Sequence, residues 1–422
     1  MRLVINKKNV ELKIIEFFYI LCFFSGIFSF LSYLVDNQYI KLWKEVYVIL
    51  MCILFFDIKL KNININVLFF LLIGGGFFFI EIIYSLLMNI PNDIIIYQLK
   101  NDLLLFLFTI CIYLFFIKID DKVIKDFSIK LIKIMIFLGA VNAIAMILEF
   151  VFFEQFLNLI GLDMGNWGTA VGVKIITYGE FLRPIGLQSG FVQATTLVLM
   201  AFIILNENMI YNIKNKIIKY LLEIIYLVAI LLSTYATAII GLIVYFIIKF
   251  IYKIFKINIF IFFSVILFIF FLYTTHGLGV YEFVNTIYPD KAYSSILLRV
   301  LQHWQIIDEI SQNGISFLLG VGLGINGMFG LDKELYGIIP IATDSTYIYL
   351  FSNYGIVSVL FYIFILIYFI INFYKRDILG IKYCLFYVLV IDFFFNNTLT
   401  NFPVNFILLL LINLSLKIKQ KI

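Results

Sequence analysis

Arg299, His303 and Asp344 stand out from an otherwise apolar chain, with Gly320, Gly322 and Gly324 between the histidine and the aspartate. His303 is one of only two histidines, and Asp344 sits at the mouth of a long apolar run. An arginine fork can hold two oxygens of a phosphate at once. An imidazole or carboxylate can take a proton from a hydroxyl. If the chain performs chemistry, the stretch 299–358 is where its residue types allow it. What that stretch can act on depends on the elements that carry it.

The 422 residues are 64% hydrophobic and only 14% charged, with a mean hydropathy of +1.07. Soluble domains carry roughly 25% charged residues, so a soluble fold is excluded and an all-α polytopic membrane protein is expected. Twelve spans are predicted, at 14–34, 43–58, 65–88, 103–117, 131–153, 189–205, 217–233, 236–251, 257–274, 345–372, 383–397 and 404–416, in one integral membrane domain covering 1–422. The polar cluster Ser233 to Thr237 divides the apolar run 217–251 into two short helices. The run 14–34 is too long for the core of a cleaved signal peptide.

With the N-terminus inside, this arrangement puts 23 of the 31 lysines and arginines on the inner side. Both termini are then cytoplasmic by the positive-inside rule. The net charge of +5 follows topology and does not indicate a nucleic-acid partner. The two long connections, 154–188 and 275–344, both fall outside, and each holds an arginine against the usual bias: Arg183 and Arg299.

Arg183 precedes a span and is followed by Pro184 and Gly186. It reads either as a cation reaching the interface or as a phosphate ligand. Residues 294–312 have helical spacing, with Arg299 and His303 as i, i+4 neighbours beside an apolar stripe that includes Val300 and Trp304. A helix lying on the bilayer would share that pattern. The three glycines follow no strand and precede no Gly-Lys-Ser/Thr, so they read as a backbone turn and not as a nucleotide loop.

No metal site is expected. Asp120 and Asp121 lie in a lysine-rich loop, and Cys22, Cys52, Cys111 and Cys384 read as small hydrophobes without ligand or disulfide spacing. Of the acids within spans (Glu16, Glu81, Glu149, Glu223 and Asp392), most lie near helix ends where water or headgroups reach. Asp392 is deeper and Glu81 could be. Each is open to a functional role or an interhelical hydrogen bond.

Order and spacing in the second half resemble the bacterial O-antigen polymerase and O-antigen ligase group of membrane glycosyltransferases. An arginine soon followed by glycine precedes a span, at Arg183-Pro184-Ile185-Gly186. The arginine helix 297–304 leads into the glycine turn 318–324. Asp344-Ser345, then nine residues, Gly355, two residues and Ser358 follow the ligase pattern, with Asp344 in place of its histidine and Ser358 in place of its last glycine. Thr234-Tyr235 stands where the family has Ser-Arg, and Ser189-Gly190 where it has a proline-asparagine pair.

The resemblance implies a GT-C-like helical fold with a large extracytoplasmic loop containing short helices. It implies a donor and acceptor that are undecaprenyl-diphosphate-linked oligosaccharides, polymerised at the outer face of the inner membrane. An acceptor hydroxyl would attack the anomeric carbon and the lipid diphosphate would leave. That chemistry asks for cations to hold the leaving diphosphate, and Arg183, Arg299 and Lys291 are the outer residues for it. It also asks for a base, for which Asp344 and His303 are the candidates. The activated donor supplies the energy, so no cofactor or metal is implied. A chain-length regulator is an implied partner. Ligation of glycan to lipid A-core is the alternative within the family, and a lipid-linked oligosaccharide flippase is the alternative outside it.

Overall fold

A computed structural model of the chain describes residues 7–55, 65–159, 177–178, 181–255, 303, 306–308, 310–324, 345–374 and 377–419. It is helical apart from a two-residue antiparallel pair, β1 (Thr177–Tyr178) with β2 (Phe181–Leu182). The helices are α1 (Lys7–Cys22), α2 (Ser25–Leu34), α3 (Trp43–Phe55), α4 (Ile65–Leu87), α5 (Asn92–Ile117), α6 (Asp121–Val151), α7 (Phe153–Leu159), α8 (Phe191–Glu207), α9 (Lys216–Leu232) and α10 (Ala236–Phe255). Then come α11 (Gly314–Leu319), α12 (Thr346–Tyr374), α13 (Lys382–Phe386), a π-helical turn (Tyr387–Asp392), α14 (Phe393–Phe395) and α15 (Val404–Lys419).

This is the architecture of a helical membrane protein, but twelve spans are not reached. Among the described residues, three helices are long and apolar enough to cross a bilayer: Asn92–Ile117, Asp121–Val151 and Thr346–Phe364. A fourth is gained if α1 and α2, bent by 70° at Phe23-Phe24, count as one. The expected single span 14–34 is therefore broken. The apolar stretches Phe191–Glu207, Ala236–Phe250 and Val404–Ile418 have the right composition but only 10–17 residues. At 1.5 Å per residue even seventeen cover about 26 Å of a ~30 Å hydrocarbon core. The expected span 257–274 lies outside the described residues.

The break expected within 217–251 is present. α9 ends at Leu232, Thr234 takes a positive φ of 49°, and α10 starts at Ala236. Ser233 donates from its Oγ to the Ile230 carbonyl and accepts from the Tyr235 N–H, so its own side chain caps the break.

Two apolar cores lie side by side. The larger is organised by α6, which packs on α8 and α9 and also touches α1 and α15. The smaller gathers Ile90, Ile94 and Ile95 around the start of α5 with Val321 and Leu323 of the glycine turn and Tyr347 to Phe351 of α12. Lys417 of α15 pairs with Asp121 at 3.6 Å and donates to the Ile117 carbonyl, so residues expected on the inner side meet at one end of the bundle.

Candidate functional site

The turn that follows Arg183 is fixed from three sides. Gly186 has a φ of 57°, and this left-handed residue makes successive backbone N–H groups converge. The Ile185 and Gly186 N–H groups both donate to Glu149 Oε2 at 2.8 Å, and the Leu187 N–H donates to Asn142 Oδ1 at 2.8 Å. The break between α1 and α2 closes on the other side. There Gly26 N–H donates to the Leu187 carbonyl at 2.9 Å, and Gln188 exchanges hydrogen bonds with Ser25 and the Phe23 carbonyl. Glu149 lies in the last turn of α6 and Asn142 two turns before it, with 9% and 0% of their surface exposed. Glu149 was expected to lie where water or headgroups reach it; one of its carboxyl oxygens, Oε2, is taken up by this turn instead.

Arg183 is half-buried, its guanidinium 4.8 Å over the Phe191 ring. From there a run of contacts crosses the protein. Phe191 meets Tyr235 edge-on at 5.6 Å, and the Tyr235 hydroxyl donates to Asp392 Oδ1 at 2.7 Å. Asn396 Nδ2 donates to Asp392 Oδ2 at 3.3 Å, and the Asn396 carbonyl accepts from Thr346 Oγ1 at 2.9 Å. Thr346 opens α12, two residues after Asp344. Asp392 thus makes one hydrogen bond to the break before α10 and one local to its own segment, close to the interhelical role that was one of the two expected for it. It ends a π-helical turn, an irregularity frequent at functional sites.

His303 reaches the same end of α12. It is helical and buried, and its Nδ1 lies 3.0 Å from the Tyr347 hydroxyl with the two rings edge to face. Tyr347 in turn packs on Phe393 and Phe394. Arg183 and His303 are therefore tied, through separate contacts, to the segments 392–398 and 345–347. Arg299, Lys291 and Asp344 lie outside the described residues, as does most of the expected helix 294–312. Ser345, the neighbour of Asp344, is buried with its Oγ 3.4 Å from the Phe393 carbonyl.

The glycine turn does what its sequence context implied, and α12 adds a matching irregularity. Gly320, Gly322 and Gly324 all have positive φ. The turn lies against a break in α12 at Gly355, whose φ and ψ are 69° and −174°. Val321 N–H donates to the Ser352 carbonyl at 2.7 Å, and Gly324 N–H donates to Asn353 Oδ1 at 3.0 Å. From α4, Ser85 Oγ accepts the Leu323 N–H and the Tyr84 hydroxyl donates to the Gly320 carbonyl. A Cβ on Gly320 would come within 2.7 Å of the backbone of Ser352, Asn353 and Tyr354, and one on Gly355 would meet the backbone of Leu318 and Leu319, so neither position has room for a side chain. The last residue of the family-like spacing, Ser358, donates to the Gly355 carbonyl at 2.8 Å, across that break.

Three features escaped the sequence reading. Asp102, just before the expected span 103–117, accepts from the hydroxyls of Tyr349 and Tyr354, while Gln98 donates to it, so α5 anchors the part of α12 that precedes its break. The spacing Gln98-x-x-x-Asp102 was the available signal. Glu81 is fully buried and, among the described residues, neither carboxylate oxygen has a hydrogen-bond partner, so no interhelical bond is made by it there. All four cysteines are free thiols, and those of Cys52 in α3 and Cys111 in α5 lie with their sulfurs 3.1 Å apart, a proximity the sequence spacing did not reveal. Among the described residues no group of three or more His, Cys, Asp or Glu could hold a metal ion.

Comparison of the chain with protein-family models, curated proteins and solved structures returns no match in any of the three.

Proposed function

We propose that the chain is a polysaccharide polymerase of the cytoplasmic membrane, with both termini inside and about twelve membrane segments, several of them short or broken. It joins undecaprenyl-diphosphate-linked oligosaccharide units at the outer face. The observation that carries this reading is the run of contacts from Arg183 through Phe191, Tyr235, Asp392 and Asn396 to Thr346. It ties the only described outer arginine to the mouth of the helix that follows Asp344, although 163 positions separate Arg183 from Thr346 along the chain. A phosphate ligand and a proton acceptor belong at one centre in glycosyl transfer from a lipid diphosphate, and this connection supports such a pairing.

In the proposed step an acceptor sugar hydroxyl attacks the anomeric carbon of the donor, the bond to the diphosphate breaks, and the hydroxyl proton passes to Asp344 or His303. Arg183 and Arg299, with Lys291, hold the charge that grows on the departing diphosphate. The test is chain extension from lipid-linked repeat units by purified variants. Alanine at Arg183 or Arg299 is expected to abolish extension in protein that still inserts and folds, and Asp344→Asn to slow it strongly. Wild-type rates in both arginine variants would remove the clamp from the mechanism. In cells, loss of a polymerase leaves single repeats on the final acceptor, whereas loss of a ligase strands long chains on the carrier lipid.

A transporter is the second reading, because discontinuous helices such as α1–α2 and α12 also line substrate sites in transporters. Here both breaks are filled by backbone, from Leu187 and Gln188 at Gly26 and from Leu318 and Leu319 at Gly355. That favours a scaffold role. Movement of a lipid-linked oligosaccharide across a vesicle membrane, with no new glycosidic bond, would decide for transport.

A further inference from the structure

We infer that Glu149 is a positioning residue that gives the Arg183 site its selectivity for a diphosphate over an uncharged lipid head. The inference rests on the proposed anion-binding role of Arg183. Three successive N–H groups, from Ile185, Gly186 and Leu187, follow that arginine in the chain and turn toward two side chains of α6. Left open, such a concave array is itself an anion cradle. Here Glu149 and Asn142 fill it from α6, so these backbone donors are not offered to a ligand. The guanidinium becomes the group of this turn that meets an anion, and its position depends on how firmly the turn is held.

The chemistry of the holding group is specific. One oxygen, Glu149 Oε2, accepts two N–H groups at 2.8 Å each, while Asn142 takes the third. Removing that oxygen would strand two buried backbone donors at once, a larger loss than that of one hydrogen bond. The site is buried, which keeps water from competing for the same donors. Space is also fixed: a Cβ on Gly186 would stand 2.4 Å from Asn142 Oδ1, so the turn cannot shift toward α6. Pro184 separates Arg183 from the first clamped N–H and locks one backbone torsion between them. The arginine is thus joined to Glu149 through two residues with little freedom.

The experiment uses the full-length protein in nanodiscs and measures the affinity of undecaprenyl diphosphate, with undecaprenol as the uncharged probe. Arg183→Ala, Glu149→Ala and Glu149→Gln are compared with the wild type. Glu149→Gln, nearly isosteric, keeps one acceptor oxygen and puts an NH2 group, which cannot accept, in place of the other. It is expected to weaken diphosphate binding ~5-fold, the size of about one hydrogen bond. Glu149→Ala is expected to weaken it ~10-fold or more, while undecaprenol binds every variant as it binds the wild type. A merely structural role would lower both affinities together, and equal losses for the two probes overturn the inference. If Glu149→Ala does not fold, Glu149→Gln alone decides. Diphosphate affinity in that variant equal to wild type, beside a loss in Arg183→Ala, overturns the positioning role and leaves the anion site standing. Undiminished binding by Arg183→Ala removes the anion site itself.

Discussion

Replacing Gly355 by alanine would place a Cβ 2.1 Å from the Leu318 carbonyl oxygen, 2.2 Å from its carbon and 2.5 Å from the Leu319 nitrogen. All three atoms are backbone, so no side chain can swing aside, and relief requires α11 to part from α12. The backbone at Gly355, φ 69° and ψ −174°, lies in a region that residues with a Cβ essentially do not enter. Strain of ~1–3 kcal/mol and overpacking of similar size place the total loss at about 2–6 kcal/mol. The internal control is in α4, where a Cβ on Gly75 or Gly76 meets nothing within 4 Å. Alanine there fits an ordinary helix and is expected to be neutral or to gain up to ~1 kcal/mol. The assay is heat survival in one detergent, read as monodisperse protein on gel filtration, for Gly355→Ala beside Gly75→Ala and Gly76→Ala. A Gly355→Ala protein as heat-resistant as the two controls would refute the interlock between the glycine turn and the broken helix.

Two further outcomes follow from described contacts. Tyr235→Phe removes the hydroxyl that donates to Asp392 at 2.7 Å and leaves that carboxylate with Asn396. The expected cost is about 1–3 kcal/mol, and a Tyr235→Phe/Asp392→Asn pair should lose less than the two single changes added together, as measured in a double-mutant cycle. Because the Cys52 and Cys111 sulfurs are 3.1 Å apart, a membrane-permeant thiol oxidant is expected to join α3 to α5. Mass spectrometry of a non-reduced digest should find the 52–111 peptide pair, and its absence under conditions that oxidise an introduced control pair would show that these helices do not approach as described.

How far the sequence could be read depended on whether the cause of a feature was local. The break after Leu232 was legible because Ser233 caps it with its own side chain. The glycine turn was legible as a turn because nothing around it suited a nucleotide. By contrast, α1 and α2 part within an apolar stretch, Phe23-Phe24-Ser25-Gly26, whose reason for bending lies at Leu187 and Gln188. Glu149 looked like an acid near a helix end because its partners are N–H groups 36 and 37 residues away. The break at Gly355 could be placed in a family-like spacing, but not explained until Leu318 was seen against it. Of the five residues singled out for chemistry, the described structure connects Arg183 and His303 to one neighbourhood. Arg299, Lys291 and Asp344 fall outside what it describes.

The bend between α1 and α2 also sets an order of events during synthesis. Ser25 pairs with Gln188, which is made 163 residues later, and Gly26 waits for Leu187. At roughly 5–20 residues per second the ribosome needs on the order of 10–30 s to supply them. Throughout that interval the nascent N-terminal segment lacks the Leu187 and Gln188 contacts that close on its bend. The insertion machinery is then expected to handle 14–34 as the apolar run its sequence displays, with the bend completed in a late, post-insertional step. A ribosome-stalled chain cut short before residue 187 should carry a first segment that is protease-protected as one span, and release of the full chain should change that protection.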